Sequence, residues 1–220
     1  TITGTSAAGC VGPDVTATVT VNPLPVVSVP STTICSGVPG TLTASGASTY
    51  VWSPATGLSA TTGTTVTANP ASTTTYTITG TDVNGCVSST TTVVTVNSSA
   101  IITVPPATIC NGSSCSLTAS GAATYTWSPG TGLSATTGTS VTANPTTTTT
   151  YTVDGLTASG CAGSTTVTVT VNPLPTITCA PATICNGSST PLTAGGASTY
   201  AWSPGTGLSA TTGTTVTGSP

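Results

Sequence analysis

The chain has 220 residues and a formal net charge of −3, with no Lys, Arg, His, Met or Phe, and its only ionisable side-chain carboxylates are Asp14, Asp82 and Asp154. Soluble domains ordinarily carry about a quarter charged residues; here the share is 1%, so the surface must be built from hydroxyls and backbone. Without cations there is nothing to neutralise nucleic-acid phosphates or to attract anionic lipid. No apolar run approaches the roughly 20 residues that span a bilayer, so neither nucleic-acid binding nor membrane insertion is expected.

The apolar fraction is 36%, too high for a chain kept unfolded by polarity and charge. Much of it is Val, Ile and Leu alternating with Thr. β-branched residues pack well on a pleated sheet, so the composition predicts an all-β protein. An internal period then sets the architecture. Trp52, Trp127 and Trp202 are evenly spaced, and Tyr50, Tyr125 and Tyr200 share the same interval, as do Cys35, Cys110 and Cys185. Val-Asn closes each unit at 21–22, 96–97 and 171–172, and Pro-Leu-Pro follows at 23–25 and 173–175. The expected organisation is the C-terminal part of a repeat (1–22), two complete repeats (23–97 and 98–172), and the N-terminal part of another (173–220). The Asn-Pro-Leu-Pro junctions are short, stiff linkers, because proline fixes its own φ and restricts the residue before it.

Within the 98–172 repeat, Ile101–Val104 opens the domain, and Ser116–Ser120 and Thr124–Ser128 read as a pair of strands across Gly121. A long loop from Pro129 to Gly138 follows, then strands over Thr139–Ala143, Thr148–Val153 and Ser164–Asn172. The last, STTVTVTVN, alternates Val and Thr with period two, so one face is apolar and the other hydroxylated. Six or seven short strands with regular turns predict a β-sandwich. A unit this small buries only about 60% of its unfolded surface and is marginal without help. The large core residues available are the aromatics Trp52, Trp127, Trp202, Tyr76 and Tyr151.

Eight cysteines without a histidine predict disulfides in an oxidising compartment. Cys35 to Cys86 and Cys110 to Cys161 are equal intervals along the chain, so the simplest pairing is Cys35–Cys86 and Cys110–Cys161, one bond per repeat. Closing a loop of about 50 residues stabilises by roughly 4 kcal/mol in the chain-entropy model. Cys115 and Cys179 fall off the repeat pattern in adjacent repeats and are expected to form an interdomain bridge, with intermolecular bonds as the competing reading. Cys10 and Cys185 have no partner in their own repeats and are expected to pair outside the chain or with the next copy. Residues 1–22 match 77–97, and 173–220 match 23–70. Three readings fit this: a fibre whose unit continues into the next copy, a segment of a giant protein, or subunits that complete each other by strand donation.

No general base, activated nucleophile or metal cluster is present, so no catalytic, cofactor or metal site is expected. Asp82, Asn84 and Gly85 read as a turn rather than a calcium loop, because one carboxylate without a bidentate Glu supplies too few ligands. Asn97-Ser-Ser, Asn111-Gly-Ser and Asn186-Gly-Ser match the N-glycosylation pattern, and runs such as Thr146–Thr150 are strand and loop hydroxyls.

The unit ATICNGSS…TYTWSPGTGLSATTG…GC…TTVTVTVNPLP resembles the immunoglobulin-like or PKD-like repeats of very large surface proteins of Bacteroidota, including gliding adhesins exported by the type IX system. The resemblance covers the whole chain and rests on Tyr125-Thr-Trp127-Ser-Pro129, the Gly-Leu-Ser-Ala-Thr-Thr-Gly loop, the Gly160-Cys161 turn and the Asn172-Pro-Leu-Pro175 junction. It implies tandem sandwich modules, export, and a role as spacer or adhesin. The expected function is therefore that of a non-enzymatic structural repeat protein, a stalk, fibre or filament outside the cell or on its surface, whose partners are copies of itself in series or in bundles. The alternative is an adhesive module whose repeated loops bind glycans or surfaces.

Overall fold

The structure, a computed structural model, describes residues 1–220. It is all-β and divides into two compact units, Thr1–Ala100 with Leu156–Gly163, and Ile101–Gly155 with Ser164–Pro220.

The first unit holds β1 (Thr32–Cys35), β2 (Gly40–Thr43), β3 (Thr49–Ser53), β4 (Thr65–Ala68), β5 (Thr74–Thr81) and β6 (Val87–Asn97). One sheet has the order β1-β6-β5-β3, and β2 pairs with β4 in the other. β1 runs parallel to β6, with Thr32 opposite Val94 and Cys35 opposite Asn97. The β3–β5 and β5–β6 pairs are antiparallel. The period-two pattern gives the faces: along β5, Tyr76, Ile78 and Gly80 point inward while the intervening Thr77 and Thr79 face out or lie half-buried. Inward residues of both sheets meet in one core of Ile34, Leu42, Tyr50, Trp52, Val66, Tyr76, Ile78 and Val94, among others.

The aromatic rings bury their area without stranding a polar atom, as a dry core requires. Trp52 Nε1 donates to the Gly63 carbonyl at 2.8 Å, and Tyr76 Oη donates to the Thr56 carbonyl at 2.7 Å. Both acceptors lie in the long 54–64 loop, which is thereby folded back onto β3 and β4. Gly57 sits there at φ +74°, and a Cβ at that position would lie 2.6 Å from the Pro70 Cα. Outside, hydroxyl pairs across strands replace ion pairs, as between Thr43 and Thr65 Oγ1 at 3.4 Å.

The second unit repeats the pattern, with Trp127 standing where Trp52 does. It contains β7 (Ala107–Cys110), β8 (Cys115–Thr118), β9 (Thr124–Ser128), β10 (Ser140–Ala143), most of β11 (Thr149–Leu156) and most of β12 (Ala162–Asn172). The sheets are β7-β12-β11-β9 and β8-β10, and β7 is again parallel to β12, with Cys110 opposite Asn172. Trp127 and Tyr151 are buried, donating to the carbonyls of Gly138 and Thr131 at 2.9 Å each. The remainder of this unit holds β13 (Thr178–Cys179), β14 (Thr190–Gly195) and β15 (Thr215–Gly218), joined as one three-stranded sheet. Trp202 keeps its bond to the Gly213 carbonyl at 2.8 Å but is only half-buried.

The fold class read from composition and period is the one observed. Three local expectations change. Ile101–Val104 is not a strand but carries a single bridge, Thr103 to Ser120. The strand after it, β8, pairs with β10 rather than with β9 across Gly121: Gly121, at φ +97° and tight against the Ile101 carbonyl, turns the chain from one sheet to the other. β7 lies in a stretch read only as the surroundings of a cysteine. Its ATIC sequence is too short to show a period, and its pairing is supplied by β12, far along the chain.

Truncating a fully buried Trp typically costs about 3–5 kcal/mol. Trp127→Ala is expected to lose that much stability, and Trp202→Ala less than half as much. Hydrogen exchange resolved by peptide mass would check this, protection being lost over 98–172 in the first variant.

Candidate functional site

The site with chemistry is the set of cysteines, and two local turns present them. The cysteine of each Thr-Ile-Cys segment accepts a backbone hydrogen bond from three residues on: Val38 N to the Cys35 carbonyl at 2.9 Å, and Ser113 N to Cys110 and Ser188 N to Cys185 at 3.0 Å. The second turn places a side-chain oxygen four residues before the cysteine, where it accepts from the cysteine N–H. Asp82 Oδ1 does so for Cys86 at 2.8 Å, Thr157 Oγ1 for Cys161 at 3.0 Å and Ser6 Oγ for Cys10 at 3.2 Å. The reciprocal bonds are equivalent too: Asp82 N, Thr157 N and Ser6 N donate to the carbonyls of Cys86, Cys161 and Cys10 at 3.0, 2.9 and 2.9 Å. Asp82 is thus held by its own turn, and no cluster of three metal-ligating side chains exists in the structure.

The strands decide which turn meets which. Cys35 lies opposite Asn97 at the C-terminal end of β6, whereas Cys86 immediately precedes β6 at Val87. Eleven residues at 3.3 Å each separate those positions by roughly 35 Å. A disulfide needs Cα atoms about 4.4–6.8 Å apart. The expected Cys35–Cys86 bond is therefore excluded by a strand that runs between its ends, and Cys110–Cys161 fails for the same reason along β12, because Cys110 pairs with Asn172.

The bond observed is Cys35–Cys161, with a Cα–Cα distance of 5.5 Å and 126 residues between the two in sequence. It lies inside the first unit, which includes the turn 156–163. Cys161 is fully buried and its Sγ stands 3.9 Å from the Asn97 carbonyl oxygen, at the end of β6 beside Cys35. Cys86 occupies the equivalent place one repeat earlier, 4.0 Å from the Asn22 carbonyl oxygen. The bond thus joins the first strand of one repeat to the turn of the repeat that follows.

Cys10, Cys86, Cys110, Cys115, Cys179 and Cys185 are free thiols. The expected Cys115–Cys179 bridge is not formed. Cys115 begins β8, half-buried, and burial raises its pKa; it is near enough to Tyr151 to push the phenol further up, after burial itself. Cys179 is exposed on the short edge strand β13. The off-pattern spacing of these two residues marked them as unusual, but their strands face them elsewhere. Sequence reasoning missed the capping oxygens of Ser6, Asp82 and Thr157 and the docking role of Asn22 and Asn97. The signal was present as a side-chain acceptor four residues before each turn cysteine and as the Val-Asn that closes each repeat.

A shallow groove recurs in all three tryptophan-bearing segments. One, of about 380 Å³, is lined by Thr124, Tyr125, Thr126, Thr137 and Gly138. Its counterparts around Tyr50 and Tyr200 measure about 360 and 310 Å³.

Parallel first and last strands, a second sheet behind them and a buried Trp against a returning loop are a sandwich of known kind. Residues 98–173 match the family described as Ig-like domain, CHU_C associated. The 98–173 segment is thus similar to an Ig-like domain. No curated protein sequence matches it. Among solved structures, a three-domain Ig segment of titin is 12% identical, covering 87% of this chain and 86% of that one at a TM-score of 0.41. The N-terminal eight Ig domains of Down syndrome cell adhesion molecule give 13% identity, 90% and 38% coverage and a TM-score of 0.37. The insect immune protein hemolin gives 15%, 68% and 47%, with a TM-score of 0.34.

Closing a loop of more than about 100 residues stabilises by about 5 kcal/mol in the chain-entropy model. Cys35→Ala and Cys161→Ala are each expected to lower stability by up to that amount, and the double variant by no more than either alone. Cys86→Ala is expected to change it by less than about 1 kcal/mol, as surface substitutions away from structural bonds generally do. Urea denaturation of the four proteins checks the cycle.

Proposed function

We infer that this is an extracellular structural repeat protein, a stalk or filament element whose Ig-like repeats supply length and resist extension. The Cys35–Cys161 bond carries the reading, because it places a covalent link between successive repeats. Under tension the polypeptide path from Cys35 to Cys161 is bypassed through sulfur, so unfolding either repeat adds no length from the residues in between. Such a bond belongs to an oxidising compartment. Export to the cell surface also agrees with the absence of Lys and Arg, which leaves the exposed chain without tryptic sites. A non-enzymatic role is supported by a residue set with no His, Lys or Arg. The near-neutral surface lacks the charge that keeps proteins apart, which favours copies of the chain as partners, in series or in bundles.

A second reading is an adhesive module for glycans or surfaces. The groove beside Tyr50, Tyr125 and Tyr200 favours it, since identical weak sites at a fixed repeat gain by multivalency.

Single-molecule stretching separates the two. At about 3.4 Å per extended residue, the chain is expected to lengthen by roughly 430 Å more in reducing than in oxidising buffer. Equal lengths in both would remove the tension-bearing role. Retention of the native protein on a glycan array, lost on Tyr125→Ala with the Tyr50 and Tyr200 equivalents, would favour adhesion.

A further inference from the structure

We propose that Gly163 is a positioning residue for the Cys35–Cys161 bond: its missing side chain lets the 157–161 turn seat against Ala100 and the end of β6 before the two sulfurs join. The inference goes beyond the stalk reading, since it concerns how the bond is made rather than what load it bears.

The turn takes its shape without help from the disulfide. Thr157 N donates to the Cys161 carbonyl and Gly160 N to the Thr157 carbonyl, both at 2.9 Å. Thr157 Oγ1 accepts from Cys161 N at 3.0 Å, and Gly160, at φ +79°, closes the turn. The receiving end is equally fixed by backbone. The Asn97 carbonyl at the end of β6 accepts from Ser36 N at 2.8 Å, which holds the residue next to Cys35. From the other side Cys161 Sγ stands 3.9 Å from the same oxygen. One backbone oxygen thus gathers both partners.

Gly163 makes the closest approach between these segments. A β-carbon there would overlap the Ala100 carbonyl oxygen and lie 2.8 Å from the Ala100 carbonyl carbon and 3.0 Å from its Cβ. The first obstacles are backbone atoms of a buried residue, which cannot swing aside as a side-chain end can. Nothing in the conformation of Gly163 itself calls for glycine. It is not among the residues of positive φ, and it lies second in β12, where a glycine weakens a strand unless another backbone comes close. The strand position accepts a side chain elsewhere: its counterpart in the 23–97 repeat is Ser88, which pairs with Gly80 in the β5–β6 register. The close approach to Ala100 is therefore what glycine at 163 provides.

The bond forms by exchange with a low-molecular-weight disulfide such as oxidised glutathione. Cys35 is half-exposed and Cys161 fully buried, so Cys35 is the thiol the reagent meets. The Cys35 thiolate forms a mixed disulfide and expels one glutathione thiolate. The Cys161 thiolate then attacks the Cys35 sulfur and expels the second, and the departing glutathione takes up the two protons lost by the protein. That last step is intramolecular, so its equilibrium is set by the effective concentration of Cys161 at Cys35. A docked turn raises that concentration, and an obstructed one lowers it.

The test equilibrates the whole chain across a series of glutathione couples and quantifies the Cys35–Cys161 peptide by chymotrypsin and mass spectrometry without reduction. Gly163→Val, which suits a strand, is expected to lower the effective concentration read from the half-point by about tenfold or more, as over-packing against backbone does. Gly163→Ala should shift it in the same direction by less, and Ser88→Val should leave it unchanged. In a Cys35→Ala background, where the bond cannot form, iodoacetamide should modify Cys161 far more slowly in buffer than in urea, and Gly163→Val should speed the reaction in buffer. Hydrogen exchange over 164–172 should stay protected in every variant. A half-point unmoved by both substitutions at 163, or moved only together with loss of that protection, would overturn the role, as would a Cys161 alkylation rate indifferent to Gly163→Val.

Discussion

β1 and β7 dock in parallel along the C-terminal ends of β6 and β12, and the placement of Cys35 and Cys110 follows from that pairing. Cys35 opposite Asn97 and Cys110 opposite Asn172 put the first cysteine of a repeat where that repeat ends and the next begins. The turn cysteine sits at the other end of a strand 11 residues long. A bond within a repeat is thereby ruled out by length alone, and a bond to the succeeding repeat becomes the natural one. The disulfide is a consequence of strand direction rather than of sequence proximity.

A second constraint is the near-absence of charge. Ion pairs and charged faces are replaced by cross-strand hydroxyl pairs, such as Thr118 with Ser140 at 2.8 Å and Thr150 with Thr168 at 2.9 Å. Such pairs contribute modestly, about 0.2–1 kcal/mol each. Stability must come instead from the aromatic core and from sulfur. The indole and phenol donors of Trp52 and Tyr76 terminate on carbonyls of the same returning loop, so burying the rings also orders the long connection between β3 and β4. Tyr50 closes a smaller circuit, donating to the Ala47 carbonyl and accepting from the Ala47 N–H.

Fold class was legible because it rests on local chemistry repeated many times: period-two Val/Thr alternation, Gly-bearing turns and a regular recurrence of Tyr-x-Trp. The buried positions of Trp52, Trp127, Tyr76 and Tyr151 follow from there being few other large side chains to fill a sandwich. Trp202 shows the limit of that reasoning, since an equal side chain in an equal local sequence is only half-buried where fewer strands surround it. β7 and its counterpart at 182–185 make the same point for secondary structure.

Residue type and spacing were therefore enough to establish the β class and the hydroxyl surface. They could not establish that β8 pairs with β10, that Cys35 bonds Cys161, or that Cys115 and Cys179 stay apart. Those outcomes turn on which strands lie side by side and in which direction. A linear spacing such as that from Cys35 to Cys86 records path length along the chain, not distance across a sheet.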